Sequence, residues 1–200
     1  MSVRFIDEID GAVGWIEDAK LQRTAHALAH EGRVWLIDPI EGDGVEERVR
    51  ALGEPAGVLQ LLDRHNRDGA AWAARLGVPL HVAPTEVEGT PFSFLPIARR
   101  RFWSEVALWW PERRILVAAD ALGTIPHYFR LAGERIGVHP LLRLTPPRAL
   151  RGLDPEHVLV GHGEGVHAGN TAAALADALA HSRRRFVRLP LELPKLRTRV

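Results

Sequence analysis

The stretch Val58-Leu59-Gln60-Leu61-Leu62-Asp63-Arg64-His65-Asn66-Arg67-Asp68-Gly69 decides how this chain is read. A run of strand length, apolar but for Gln60, stops at Asp63. A polar loop follows, in which alternate spacing turns residues 63, 65 and 67 to one side if the loop is extended. A helix over 70–76 comes next, closed by Gly77, the residue type that best tolerates the left-handed turn after a helix. A buried-type strand, a charged loop and a helix in immediate succession point to a layered α/β fold.

Three more apolar runs end in the same way. Trp35-Leu36-Ile37 leads to Asp38, Val117-Ala118-Ala119 to Asp120, and Val158-Leu159-Val160-Gly161 to His162. Polar residues delivered at the carboxyl ends of strands gather on one rim, where loops are free and the strands beneath are rigid. The alternative for each aspartate alone is a simple turn former. Gly161 and Gly163 flank His162, and that tight turn can push an imidazole into a site.

Working outward, short strands are expected over 3–6, 12–16, 24–29 and 34–37, followed by a helix over 45–52 and a strand over 80–83. The runs VALWW (106–110) and ILVAA (115–119) flank Pro111-Glu112-Arg113-Arg114 and read as a hairpin covered on both faces. A short helix is expected over 140–151, interrupted by Pro146-Pro147, and a last helix capped by Asn170. This order predicts one α/β domain over 1–188, with 189–200 as a basic tail lying on the surface.

Composition narrows the chemistry. With 46% hydrophobic residues in 200, the chain can bury a core, so wholesale disorder is excluded. Having no cysteine, it has no disulfides, no thiolate metal ligands and no thiol nucleophile, which leaves His, Asp and Glu for any metal. No apolar run approaches the ~18 residues that span a bilayer, and the acidic start at Asp7-Glu8 is unlike a signal peptide. A cytoplasmic protein with no membrane association is therefore expected. A net charge of +1 argues against bulk nucleic-acid binding, and a homo-oligomer stays open. Of the 26 basic residues only Lys20 and Lys195 are lysine, an arginine bias that fits a GC-rich genome.

The order strand–Asp38, strand–Asp63-x-His65-x-Arg67-Asp68-Gly69-helix, hairpin–Ala118-Ala119-Asp120-Ala121-Leu122 and Val158-Leu159-Val160-Gly161-His162-Gly163 resembles the metallo-β-lactamase-fold hydrolases. The resemblance covers roughly residues 10–167. It implies an αββα sandwich of two mixed sheets flanked by helices, with a di-metal site at one edge. Carried over position by position, His65 matches the second histidine of the His-x-His-x-Asp-His signature, Asp120 the bridging aspartate and His162 the last histidine. Asp63 stands where the first histidine belongs, Arg67 where the aspartate belongs and Asp68 where the adjoining histidine belongs. Arg101 is the nearest counterpart of the missing third histidine.

These departures have physical consequences. Arg67 has no lone pair, so it is not a ligand, and its charge would occupy the place of a second ion. It is expected to pair with Asp63 and Asp120 instead. Two-metal hydrolysis is thereby disfavoured, and an eroded metal site in a non-catalytic relative that binds a small ligand or partner is the first expectation. The alternative is a mononuclear hydrolase of a small ester, thioester or phosphate-containing molecule. In it His65, Asp120, His162, Asp63 and, less directly, Asp68 would hold zinc, manganese or iron, and Asp63 or Asp120 would serve catalysis. Asp68 also suits the N-cap of the helix it precedes. The remaining histidines lack partners at ligand spacing, with His127 and His167 kept as possible rim residues. Arg99-Arg100-Arg101 reads as a solvated face or an anion site, Arg183-Arg184-Arg185 as a cationic helix end, and Trp103, Trp109 and Trp110 as packing.

Overall fold

The computed structural model describes residues 2–191; residues 192–200 of the expected surface tail lie outside it. The first sheet follows chain order: β1 (Val3–Ile9), β2 (Ala12–Glu17), β3 (Thr24–His30), β4 (Arg33–Ile37), β5 (Glu54–Gln60) and β6 (Leu80–Val82). The first four run antiparallel, whereas β4–β5 and β5–β6 pair parallel. The two parallel steps need crossovers, and helices α1 (Val45–Leu52) and α2 (Gly69–Leu76) supply them.

The second sheet contains β7 (Ser93–Arg100), β8 (Trp103–Trp110), β9 (Ile115–Ala118), β12 (His157–Val160) and β13 (Val166–His167), in the spatial order β13-β12-β9-β8-β7. Between β9 and β12 the chain forms a two-stranded ribbon of β10 (Leu122–Gly123) and β11 (Gly137–Val138). Helix α3 (Thr171–Phe186) closes the described fold. Both sheets are mixed and helices flank them, the αββα sandwich expected from the sequence.

Side-chain alternation shows how the layers form. Along β4, Val34 and Leu36 pack with Val45, Val49 and Trp72 under α1 and α2, whereas Trp35 and Ile37 pack with Trp110, Leu116 and Leu159 between the sheets. Helix α3 brings Leu175, Ala178 and Leu179 to the core of the second sheet. Burying a side chain such as Leu59 or Trp35 contributes about 1.5–3 kcal/mol, so this two-faced pattern fixes the register.

Several local expectations are corrected. Strand β7 was not foreseen: Pro96 breaks its pattern, yet it is an edge strand whose register shifts between Pro96 and Ala98, where a missing N–H is tolerated. The expected helix over 140–151 is two 3-10 turns, Pro140–Leu142 and Arg148–Leu150, separated by Pro146-Pro147. Asn170 precedes α3 in a left-handed conformation, but its side chain makes no capping bond.

Candidate metal centre

Parallel pairing places the site. Because β9 and β12 run side by side in register, Asp120 and His162 emerge from the same end of the second sheet. The parallel pair β4–β5 sends Asp38 and the 61–68 loop out together from the first. The two ends are laced by main-chain bonds: Thr24 N–H donates to Gly161 O at 2.9 Å, Val106 N–H to Leu61 O at 2.9 Å and Asp63 N–H to Ser104 O at 3.0 Å. Within the second sheet Gly161 lets the ends of β9 and β12 approach closely, since a Cβ there would lie 2.6 Å from Ala119 O.

His65, Asp120 and His162 converge on this rim, each offering a ligand atom, all within 4.8 Å of one another. His65 Nε2 lies 3.0 Å and His162 Nε2 3.2 Å from the same oxygen, Asp120 Oδ1. Each ring is held from behind. His65 Nδ1 meets Asp38 Oδ2 at 3.1 Å, and His162 Nδ1–H donates to Leu21 O at 2.7 Å. Asp38 accepts a second bond, from Leu61 N–H at 3.1 Å, and adopts a left-handed backbone (φ 44°). Such strain at a non-glycine residue costs of order 1 kcal/mol and persists where surrounding contacts fix it.

Asp120 is itself anchored by Glu105, a fully buried side chain that sequence reasoning missed. Its Oε1 accepts from Asp120 N–H at 3.0 Å and Ala121 N–H at 2.8 Å, while Trp103 Nε1–H donates to Oε2 at 2.6 Å. Burial pushes the Glu105 carboxyl up to about 7 against the pull of these donors. The available signal was an acidic residue at an inward position of an apolar strand, inside VALWW's own amino-terminal extension.

The electrostatics centre on His65. Burial disfavours its charged form, but Asp38 and Asp120, one at each ring nitrogen, outweigh it and raise the pKa to about 9. In the metal-free chain the ring is therefore an imidazolium bridging two carboxylates. Asp120 loses solvation on burial, yet bonds to His162 and His65 hold its carboxyl well below the usual range.

Four residues expected at the site lie otherwise. Arg67 does not pair with Asp63 or Asp120: it makes no ion pair with either among the described residues. Its guanidinium donates instead to main-chain carbonyls, to Thr24 O, to Asp38 O at 3.3 Å and to Gly161 O at 2.8 Å. The Gly161 oxygen also accepts from Thr24 N–H, so Arg67 adds a charged donor at the start of β3 and just beyond β4 and β12. Asp68 stands outside the converging group and occupies the N-cap position of α2 as expected, without a side-chain capping bond; its Oδ2 accepts from Glu41 N–H at 2.7 Å, tying α2 to the loop after β4. Asp63 stands outside the converging group, with Oδ1 buried and without a hydrogen-bond partner. Arg101 is exposed at the β7–β8 turn, over the Phe102 ring at 5.6 Å, and does not enter the group. Arg99 and Arg100 are likewise exposed.

The donor set fits one divalent ion. Zinc takes imidazole nitrogen at ~2.0–2.1 Å and carboxylate oxygen at ~2.0–2.2 Å, so tetrahedral ligand–ligand edges are about 3.3 Å. The observed 3.0 and 3.2 Å are within a few tenths of that. Asp38 and the Leu21 carbonyl play the supporting role that orients ligating imidazoles.

Neither a family model nor a curated protein matches the sequence. Solved structures do. DIM-1 metallo-β-lactamase shares 12% identity, with 94% of this chain and 97% of that chain covered at a TM-score of 0.61. VMB-1 shares 10% over 94% and 98% with a TM-score of 0.62. The metallo-β-lactamase FIM-1 from Pseudomonas aeruginosa, solved in a mono-zinc form, shares 11% over 92% and 97% with a TM-score of 0.57. At such identities the likeness speaks to architecture alone, and the chain has the metallo-β-lactamase fold.

Proposed function

We propose that this protein is a mononuclear metal-dependent hydrolase of a small ester, thioester or phosphate-containing molecule. The observation that carries the reading is the convergence of His65 Nε2, Asp120 Oδ1 and His162 Nε2, with Arg67 turned away onto backbone carbonyls. Three protein ligands and a remaining open position are the pattern of catalytic rather than structural zinc sites. A divalent ion held there supplies Lewis acidity and makes water a stronger nucleophile near neutral pH. The mono-zinc form of FIM-1 is a precedent for one ion on this fold. Asp38 keeps His65 oriented with Nε2 toward the site, and Glu105 keeps the Asp120 turn in place.

One observation favours the second reading, a non-catalytic relative with an eroded site. Both His65 nitrogens already meet carboxylates, so the ring is satisfied by a proton alone. Metal analysis of protein purified without chelator separates the two. The hydrolase reading expects about one zinc, manganese or iron per chain, lost in His65→Ala, and hydrolysis of a model ester or thioester that a chelator abolishes. No bound metal and no rise in melting temperature with added zinc or manganese would overturn it, because an ion bound only by the native state must stabilise that state.

A further inference from the structure

A chain of side-chain contacts leaves the candidate metal group at His162 and returns to it at Asp120. From Asp120 the contacts run to His162 (3.2 Å), then to Phe129, whose ring stacks on the imidazole at 5.7 Å and 22°. They continue to His139 (5.4 Å between ring centroids), to Trp103 (4.7 Å) and to the Arg64 guanidinium, which lies 4.2 Å over the Trp103 ring. The chain of contacts closes where Arg64 Nη2 comes within 3.8 Å of Asp120 Oδ2. Tyr128 is attached to it twice, edge-on to Phe129 at 5.1 Å and bonded to His139.

Two members have donors to spare. Arg64 is half exposed, and its stack on Trp103 and its Nη1–H bond to Phe102 O at 3.1 Å fix the guanidinium plane. Among the described residues no hydrogen bond uses its Nε–H or Nη2–H groups, and 3.8 Å to Asp120 is too long for one. Tyr128 is freed by a tautomer. Leu141 N–H donates to His139 Nδ1 at 3.2 Å, so a neutral His139 carries its proton on Nε2 and donates it to Tyr128 Oη, 3.2 Å away. Burial holds His139 neutral by lowering its pKa to about 4. The Tyr128 O–H proton is thus left to point elsewhere. Burial raises the Tyr128 pKa, with Asp120 raising it further and Arg64 opposing.

We propose that Arg64 and Tyr128 grip an oxyanionic group of the substrate, a carboxylate or a phosphate monoester, beside the His65–Asp120–His162 group, with Trp103, His139 and Phe129 as its walls. This rests on the hydrolase reading for the word substrate, although the oxyanion site stands or falls on its own measurement. A planar guanidinium whose Nε–H and Nη2–H groups form one free edge suits such an anion, and a phenol donor adds a second direction.

The test is calorimetric titration of the full chain with inorganic phosphate and, separately, acetate, in zinc-loaded and chelated forms. At least one anion is expected to bind, weakened about tenfold or more in Arg64→Gln and about threefold in Tyr128→Phe, with stoichiometric zinc binding kept in both variants. Arg64→Lys should fall between, since it keeps the charge and loses the planar fork. Tighter phosphate identifies the phosphate monoester, and tighter acetate the carboxylate. Arg64-dependent phosphate or acetate binding in a chain that takes no zinc would sink the hydrolase and leave the oxyanion site standing. Zinc binding with phosphate and acetate indifferent to Arg64 and Tyr128 would do the reverse. Tyr128→Phe changes a single hydroxyl and keeps the test decisive should Arg64→Gln fold poorly.

Discussion

A divalent ion held by the proposed group would compete with a proton for Nε2 of His65. With Asp38 Oδ2 at 3.1 Å on one side of the ring and Asp120 Oδ1 at 3.0 Å on the other, the metal-free imidazole has its pKa raised to about 9. At pH 7 the nitrogen is then free in only about one molecule in a hundred, and each pH unit toward 9 makes it about tenfold more available. Between pH 7.0 and 8.5 apparent zinc affinity should therefore rise about thirtyfold, or about 2 kcal/mol. Competition against a chromophoric chelator, corrected for the chelator's own titration, measures this directly. The metal-free protein supplies a second readout. His65 is raised above its unfolded value, so its stabilisation, about 3 kcal/mol in all, is full below about pH 6.5 and lost as pH rises through about 9. Glu105 is also raised, but only to about 7, so a loss of stability between pH 8 and 9.5 belongs to His65. Urea midpoints in that window should fall for the parent and stay level for His65→Gln. Zinc affinity flat within about threefold from pH 7.0 to 8.5 would refute the bridged-proton argument.

Three further outcomes follow from contacts away from that nitrogen. Arg67→Met should cost about 2–4 kcal/mol in denaturant unfolding, because the carbonyls of Thr24, Asp38 and Gly161 lose their charged donor. Asp7→Asn should remove part of the acid sensitivity: Gly165 N–H at 2.9 Å, His167 Nε2 at 2.8 Å and His26 Nε2 at 3.2 Å hold the Asp7 carboxyl well below the usual range. Its stabilisation is present above about pH 4 and lost as pH falls, so the acid limb of a stability–pH curve should flatten in the variant. Gly161→Ala should lower the melting temperature and weaken zinc binding together, since the new Cβ would meet Ala119 O at 2.6 Å and part the ends that carry Asp120 and His162; loss of neither would show that the close approach is dispensable.

How much of this was legible depends on what each residue answers to. Asp38, Asp120 and His162 were readable as rim residues because apolar strands pointed to them, and parallel pairing then put neighbouring strand ends together. The fold was readable for the same reason. Glu105 was not, because its role depends on Asp120 and Ala121 N–H groups brought to it across the β8–β9 pair, a contact with no local signature. Nor were Tyr128, in the long connection between β10 and β11, and His139, just after β11, which reach the site through Phe129 and Trp103. Strand β7 was hidden by its own proline and arginines, residues that an edge strand accepts and a central strand would not.

The fate of Arg67 shows why a charge argument from sequence can be right in kind and wrong in address. A carboxylate cluster without metal does need positive charge, and arginine at an aspartate position looks like its source. Yet Asp38 and Asp120 take that charge from a proton on His65, which touches both. Arg67, anchored in the same loop, reaches past them to three carbonyls, where its spread donors satisfy strand ends that no imidazole could serve at once. The division matters for chemistry. A fixed guanidinium between the carboxylates could leave only by breaking the loop, whereas a proton leaves whenever a better electrophile arrives. The arrangement that makes the metal-free chain stable is thus the one that keeps His65, Asp120 and His162 available to an ion.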